Sequence, residues 1–164
     1  MDSIDKFNKL SKAEFISIFG NIFEKTEWVA EKCYESKPYN NLDELVSKMM
    51  KIFENIESEK HLEILNSHPD LAVEKKLTED SKNEQKNASL NQCTDEEFIE
   101  FKKLNEEYKK KFGFPFIVAV KGKNKEEILN SFRQRITNNI NLEFEEAKKQ
   151  VKKIASFRLS EIIK

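Results

Sequence analysis

Proton transfer near neutral pH needs an imidazole or a pair of tuned acids, and this sequence holds only two histidines. His68 follows Ile64 and Leu65 by four and three positions, so it extends their apolar helical line. Pro69 comes next and disfavours helical backbone at His68 itself. The imidazole is thereby expected at a helix end, facing inward, where general acid–base chemistry is physically possible. A core histidine bonded to a backbone carbonyl is the structural alternative. His61 lies early in the same helix among charged neighbours and reads as a solvated surface residue.

Two further groups have types and spacings suited to a ligand. Ser81, Glu84 and Gln85 stand at i, i+3 and i+4, so a helix beginning near Asp80 or Ser81 points all three one way. A hydroxyl, a carboxylate and an amide on one face suit a substrate rich in donors and acceptors; the alternative is a capping box of Ser81 with Glu84 beside an exposed Gln85. Arg158 falls in a stripe with Val151, Ala155 and Ile162 at spacings of four, three and four. A guanidinium in an apolar stripe needs an anion, because an unpaired buried charge is costly. That anion is either a substrate carboxylate, which Arg engages in bidentate fashion better than Lys, or an internal carboxylate, for which Glu84 is a candidate.

Other chemistries find no footing in the residues. Cys33 and Cys93 form no metal-ligand motif and read as two thiols of a reducing compartment, with a disulfide left open. There is no Gly-rich phosphate loop, nucleophile elbow or His/Cys cluster with metal spacing.

The elements that must position these groups are helical. Three Gly and three Pro in 164 residues leave few chain breakers, which argues for long helices and against a many-stranded sheet. Ser11 with Glu14 and Thr94 with Glu97 spell capping boxes, and Asn124 with Glu127 begins another helix. Thr26, Asn41, Ser58 and Asn141 start the remaining ones, and Gly113 stops the helix carrying Phe98, Phe101, Leu104 and Tyr108. Leu62, Ile64 and Leu65 mark the apolar face of the helix before His68. Residues 112–120 are aromatic and β-branched and read as a strand by propensity, but a single strand has no partner. Residues 114–120 are therefore expected to be a buried connection or helix start. The expected fold is all-α, a single-domain bundle over residues 1–164 with about seven to nine helices.

Read together, these residues resemble the 2-oxo-4-hydroxy-4-carboxy-5-ureidoimidazoline (OHCU) decarboxylase family. Residues 19–24 and 28–31 look like its opening helices. The run His68, Pro69, Asp70, Leu71 and Ala72 is its most recognisable motif. Residues 81–85 with Ala88 and Leu90 look like the second, residues 112–122 the third, and Arg158 with Leu159 the fourth, all in order. Val73 and Ser89 stand where the family commonly has glycine.

The resemblance implies an all-α, generally dimeric enzyme that uses no metal or organic cofactor. It would decarboxylate the ureidoimidazoline to (S)-allantoin and carbon dioxide, a late step of urate degradation. His68 would be the catalytic acid/base and Glu84 would assist proton transfer. Pro69, Ser81, Lys82, Asn83, Glu84 and Gln85 would line the substrate site, with Gln85 holding the ureido or ring amide. Phe116, Ile117, Val118, Ala119 and Val120 would line it too, through backbone N–H groups that an irregular segment leaves available. Arg158 would bind an anionic part of the substrate.

Charge and composition narrow the alternatives. The formal net charge of −1, from 29 basic and 30 acidic residues, gives no excess to drive nucleic-acid binding. Thirteen Phe argue against disorder, and no apolar run approaches the roughly 18 residues of a membrane span. Neither a secretory leader nor a peroxisomal address is evident, so a cytoplasmic location is expected. Two other readings stay open: a decarboxylase of a related ureido-imidazoline acid, and a non-catalytic helical interaction module.

Overall fold

The computed structural model describes residues 3–72, 78–88 and 90–163; Val73 and Ser89 lie outside the described residues. Among these are nine α-helices, one 3₁₀ turn and no strand. Local signals set most helix starts. Ser11, Thr94 and Asn124 each accept the backbone N–H of the third helical residue, whose Glu side chain accepts from the cap's own N–H. Gly113 ends its helix in the left-handed region at φ 80°, with its N–H on the Lys109 carbonyl at 2.8 Å.

The chain divides into two units. The first comprises Met1–Ser67 with Lys152–Lys164. It holds α1 (Ser3–Asn8), α2 (Lys12–Phe19), α3 (Glu27–Glu35), α4 (Leu42–Glu54), α5 (Ser58–Ser67) and the later part of α9 (Ile140–Ile162). Its core is aromatic: Phe15 and Phe19 pack with ring centroids 4.6 Å apart, and Phe23 stacks on Phe53 at 4.8 Å. Each such buried ring contributes roughly 1.5–3 kcal/mol relative to exposure. Tyr39 donates to the Cys33 carbonyl at 2.6 Å, and burial pushes the Cys33 thiol up from its ordinary value. Cys33 and Cys93 are both thiols.

His61 departs from expectation. It is buried, its Nε2 lies 2.6 Å from the Phe53 carbonyl, and its ring meets Phe53 edge-on at 5.0 Å. Its charged sequence neighbours face outward while the imidazole satisfies a carbonyl in the last turn of α4. Leu62, expected on the apolar face with Ile64 and Leu65, is instead exposed, at 40%, while those two are buried.

The second unit is His68–Val151. It holds α6 (Glu79–Asn87), the 3₁₀ turn Leu90–Gln92, α7 (Asp95–Phe112), α8 (Lys125–Arg135) and the beginning of α9. Phe116 stacks on Phe132 at 3.9 Å, and Tyr108 meets both edge-on. Residues 114–120 form a wholly buried connection of no regular structure. Side chains take the place of a sheet ladder there: the Ile117 carbonyl accepts from Arg135 and the Ala119 N–H donates to Gln150. Tertiary partners thus override the β propensity. The cap of α6 is Thr78, whose hydroxyl accepts the Ser81 N–H at 3.2 Å, so Ser81 sits in the first turn and caps nothing.

Candidate functional site

His68 is the first residue after α5, and only 8% of its surface is exposed. The loop that carries it is tightly held within the second unit. Ala72 has φ 54°, in the left-handed region that a residue with a Cβ seldom occupies. Three side chains fasten the loop's backbone and one acid. Gln85 of α6 uses both ends of its amide: Oε1 accepts the Ala72 N–H at 3.1 Å and Nε2 donates to the Asp70 carbonyl at 3.2 Å. Asn105 of α7 donates from Nδ2 to the Leu71 carbonyl at 3.0 Å. Lys109, one turn further along α7, pairs with Asp70 through Nζ and Oδ2 at 2.6 Å.

The face of α6 is divided as its period requires. Ser81 and Gln85 are buried and Glu84 is half-buried, while Lys82 and Asn83 are exposed on the other side. The structure therefore joins two of the groups singled out in the sequence. The His68 loop and the α6 face meet through Gln85, which brackets Asp70 and Ala72. Gln85 acts first as a brace for that loop; each end of an amide keeps one more hydrogen-bonding position for a ligand.

Residues 116–120 are held by a separate set of bonds. Arg135 donates from Nη1 to the Ile117 carbonyl at 2.6 Å, and its guanidinium lies 4.4 Å from the centroid of the Phe116 ring. Its charge is met by Glu143, fully buried, with Nη2 to Oε2 at 2.9 Å. Tyr108 donates its hydroxyl to the same carboxylate, and Asn138 donates at 3.0 Å. Burial, and then the Glu143 carboxylate, push the Tyr108 hydroxyl well above its ordinary range, so it remains a donor. Ala119 gives its N–H to Gln150 Oε1 at 3.0 Å. Ala119 is thus withdrawn from the set of backbone donors expected for a ligand. Among the described residues it is the one member of 116–120 whose N–H is in a hydrogen bond. Buried N–H groups of this kind are donors for an anionic or carbonyl-bearing ligand.

Arg158, in the first unit, does point inward, at 6% exposure. The anion that meets it is Glu24, itself fully buried, with Nη2 to Oε2 at 2.8 Å; Nη1 donates to the Asn21 carbonyl at 2.7 Å. An internal carboxylate is thus present, 134 positions away in sequence. Among the described residues no group of three or more His, Cys, Asp or Glu is placed to hold a metal ion.

Asn105, Lys109, Arg135, Glu143 and Gln150 are the residues that sequence reasoning missed. Asn105 and Arg135 carried a usable signal. Asn105 lies in the buried stripe of α7 with Phe101, Leu104 and Tyr108, a polar residue at an apolar position. Arg135 is one of only three arginines.

Comparison with known proteins points one way. The sequence model of the family described as OHCU decarboxylase matches residues 8–160. The chain is 41% identical over 164 residues to a uric acid degradation bifunctional protein of Bacillus sp. (strain TB-90), covering all of this chain and 33% of that protein. It is 36% identical over 159 residues to a 2-oxo-4-hydroxy-4-carboxy-5-ureidoimidazoline decarboxylase of Haloferax volcanii, covering 97% of this chain and 95% of that one. The chain therefore spans about a third of the first relative and nearly the whole of the second. The crystal structure of an (S)-allantoin synthase superposes with a TM-score of 0.81 at 28% identity, covering all of this chain and 54% of that one.

Proposed function

The chain belongs to the OHCU decarboxylase family, and from that premise we propose that it converts 2-oxo-4-hydroxy-4-carboxy-5-ureidoimidazoline to (S)-allantoin and carbon dioxide. The observation that carries the site is the Gln85 bracket, which ties the His68 loop to the helix face bearing Ser81 and Glu84.

The chemistry asks little of a cofactor. The substrate has a carboxylate and a hydroxyl on one ring carbon, next to a C=N bond. When the bond to the carboxylate breaks, its electron pair forms a C=C bond with the neighbouring ring carbon. The C=N pair moves onto nitrogen, which takes a proton, and carbon dioxide leaves. The enol then returns to a carbonyl as its hydroxyl proton departs and a proton adds to the ureido-bearing carbon. The substrate's own ring is the electron sink. The protein's task is to orient the carboxylate, offer donors to developing charge and deliver a proton to one face.

In this reading His68 moves the proton and Glu84, half-buried on α6, assists. Backbone N–H groups of Phe116, Ile117, Val118 and Val120 meet developing negative charge. Pro69 and Ser81 shape the wall, with Lys82 and Asn83 contributing at most through backbone. A homodimer in the cytoplasm, requiring no cofactor, completes the reading; a solution mass measurement tests the dimer.

The test is turnover of freshly generated substrate beside related hydantoin-like and ureido-imidazoline acids. Preferential decarboxylation of the OHCU substrate is expected. Faster turnover of another acid would move the assignment to that substrate.

A further inference from the structure

The carrier of His68 is braced from a helix to which no function has been assigned, α7. Asn105 and Lys109 are four residues apart, so they lie on one face of α7 one turn from each other. Both reach the His68 loop: Asn105 at the Leu71 carbonyl, 3.0 Å, and Lys109 at the Asp70 carboxylate, 2.6 Å. Gln85 closes the loop from the other side at the Asp70 carbonyl and the Ala72 N–H. Three consecutive residues, beginning two positions after His68, are thus fixed by side chains of α6 and α7.

Two details give the brace a direction. Ala72 is held at φ 54°, a conformation an L residue leaves readily unless its surroundings impose it. Removing the ties allows that turn to relax and the backbone at His68 to move with it. Asn105 is only 3% exposed, and its Oδ1 has no hydrogen-bond partner among the described residues. A buried amide with one bond made and one acceptor unmet carries a desolvation cost that a leucine in the same apolar stripe would not. The bond to Leu71 is what that polar residue adds.

We propose that Asn105 and Lys109 are positioning residues for the decarboxylation, holding His68 at the reacting carbon by clamping the turn that follows it. The inference rests on the reading of His68 as the acid/base. Neither side chain touches substrate in this scheme; both act through the loop. A displacement of about 1 Å at a catalytic group can cost up to about 100-fold in rate. The Lys109 side chain is 40% exposed. The Asp70 side chain is only 9% exposed, so removing the cation leaves a largely buried carboxylate and should lower the melting temperature as well as the rate. The split between kcat and KM and the rescue by arginine separate positioning from stability.

The experiment is steady-state kinetics with thermal unfolding on four variants of the full chain: Lys109→Met, Lys109→Arg, Asn105→Leu and His68→Asn. Lys109→Met is expected to lose roughly tenfold in kcat with KM little changed, in a protein of lowered melting temperature that is still folded at the assay temperature, and Lys109→Arg to recover most of the loss in kcat. Asn105→Leu is expected to lose more; if it fails to fold, the lysine pair decides. The proposal is overturned if Lys109→Met keeps wild-type kcat, if the loss falls on KM alone, or if arginine does not rescue. Wild-type activity in His68→Asn would instead remove the reading on which the clamp rests, and the clamp with it.

Discussion

The Arg158–Glu24 pair offers the sharpest perturbation, because the two roles open to Arg158 predict opposite outcomes. Both side chains are almost wholly buried, 5% and 0% exposed, and the guanidinium spans two acceptors, Glu24 Oε2 and the Asn21 carbonyl. Arg158→Met leaves Glu24 as a buried carboxylate deprived of this cation. Breaking a buried pair by removing one partner costs about 3–5 kcal/mol. For a chain of this length each kcal/mol lowers the melting temperature by roughly 2–4 °C, so a drop of about 6–20 °C is expected. Arg158→Lys keeps the charge but cannot span both acceptors, and a loss of about 1–3 kcal/mol follows. Adding Glu24→Gln to Arg158→Met should return part of the stability, since no uncompensated charge remains. The assay is thermal unfolding and steady-state kinetics on the same preparations. A melting temperature unchanged in Arg158→Met, with kcat/KM collapsed, would assign the guanidinium to substrate instead of to the Glu24 pair.

Other outcomes are as open to measurement. His68→Asn should fold normally and lose about 10²–10⁴-fold in kcat, because Asn cannot shuttle a proton near neutral pH; allantoin formation within a few-fold of wild type would remove His68 from the mechanism. Activity should survive exhaustive chelation, and loss with EDTA restored by a divalent metal would show that the mechanism is wrong. Backbone bonds at helix caps hold the carboxyls of Glu14, Glu44 and Glu97 below their usual range, and Arg133 does so for Glu100. Their contribution is complete above the ordinary carboxyl range and is lost as pH falls through the lowered values. The melting temperature should therefore fall below about pH 4.5, and a flat profile down to about pH 3 would contradict this.

How legible these features were depends on how local their causes are. Capping boxes at Ser11, Thr94 and Asn124 need only residues three apart, and each formed where its letters stood. The irregular course of residues 114–120 was readable from the want of a partner strand, but the bonds that hold it come from Arg135 and Gln150 on other helices. His61 misled because its charged neighbours in sequence are not its neighbours in space; the Phe53 carbonyl is. The inward direction of Arg158 followed from helical period alone. Its partner Glu24 did not, since no pattern links residues 134 positions apart. The α7 clamp on the His68 loop was equally hidden, because Lys109 in a run of lysines looks like solvated surface.

Stereospecific decarboxylation is best followed by circular dichroism during turnover. Substrate freshly generated from urate is mixed with the protein, and the chiral signal of allantoin is followed as the substrate disappears. The (S)-allantoin signal is expected to grow in step with accelerated substrate loss. Substrate loss at the protein-free rate, or allantoin with no net handedness, would contradict it.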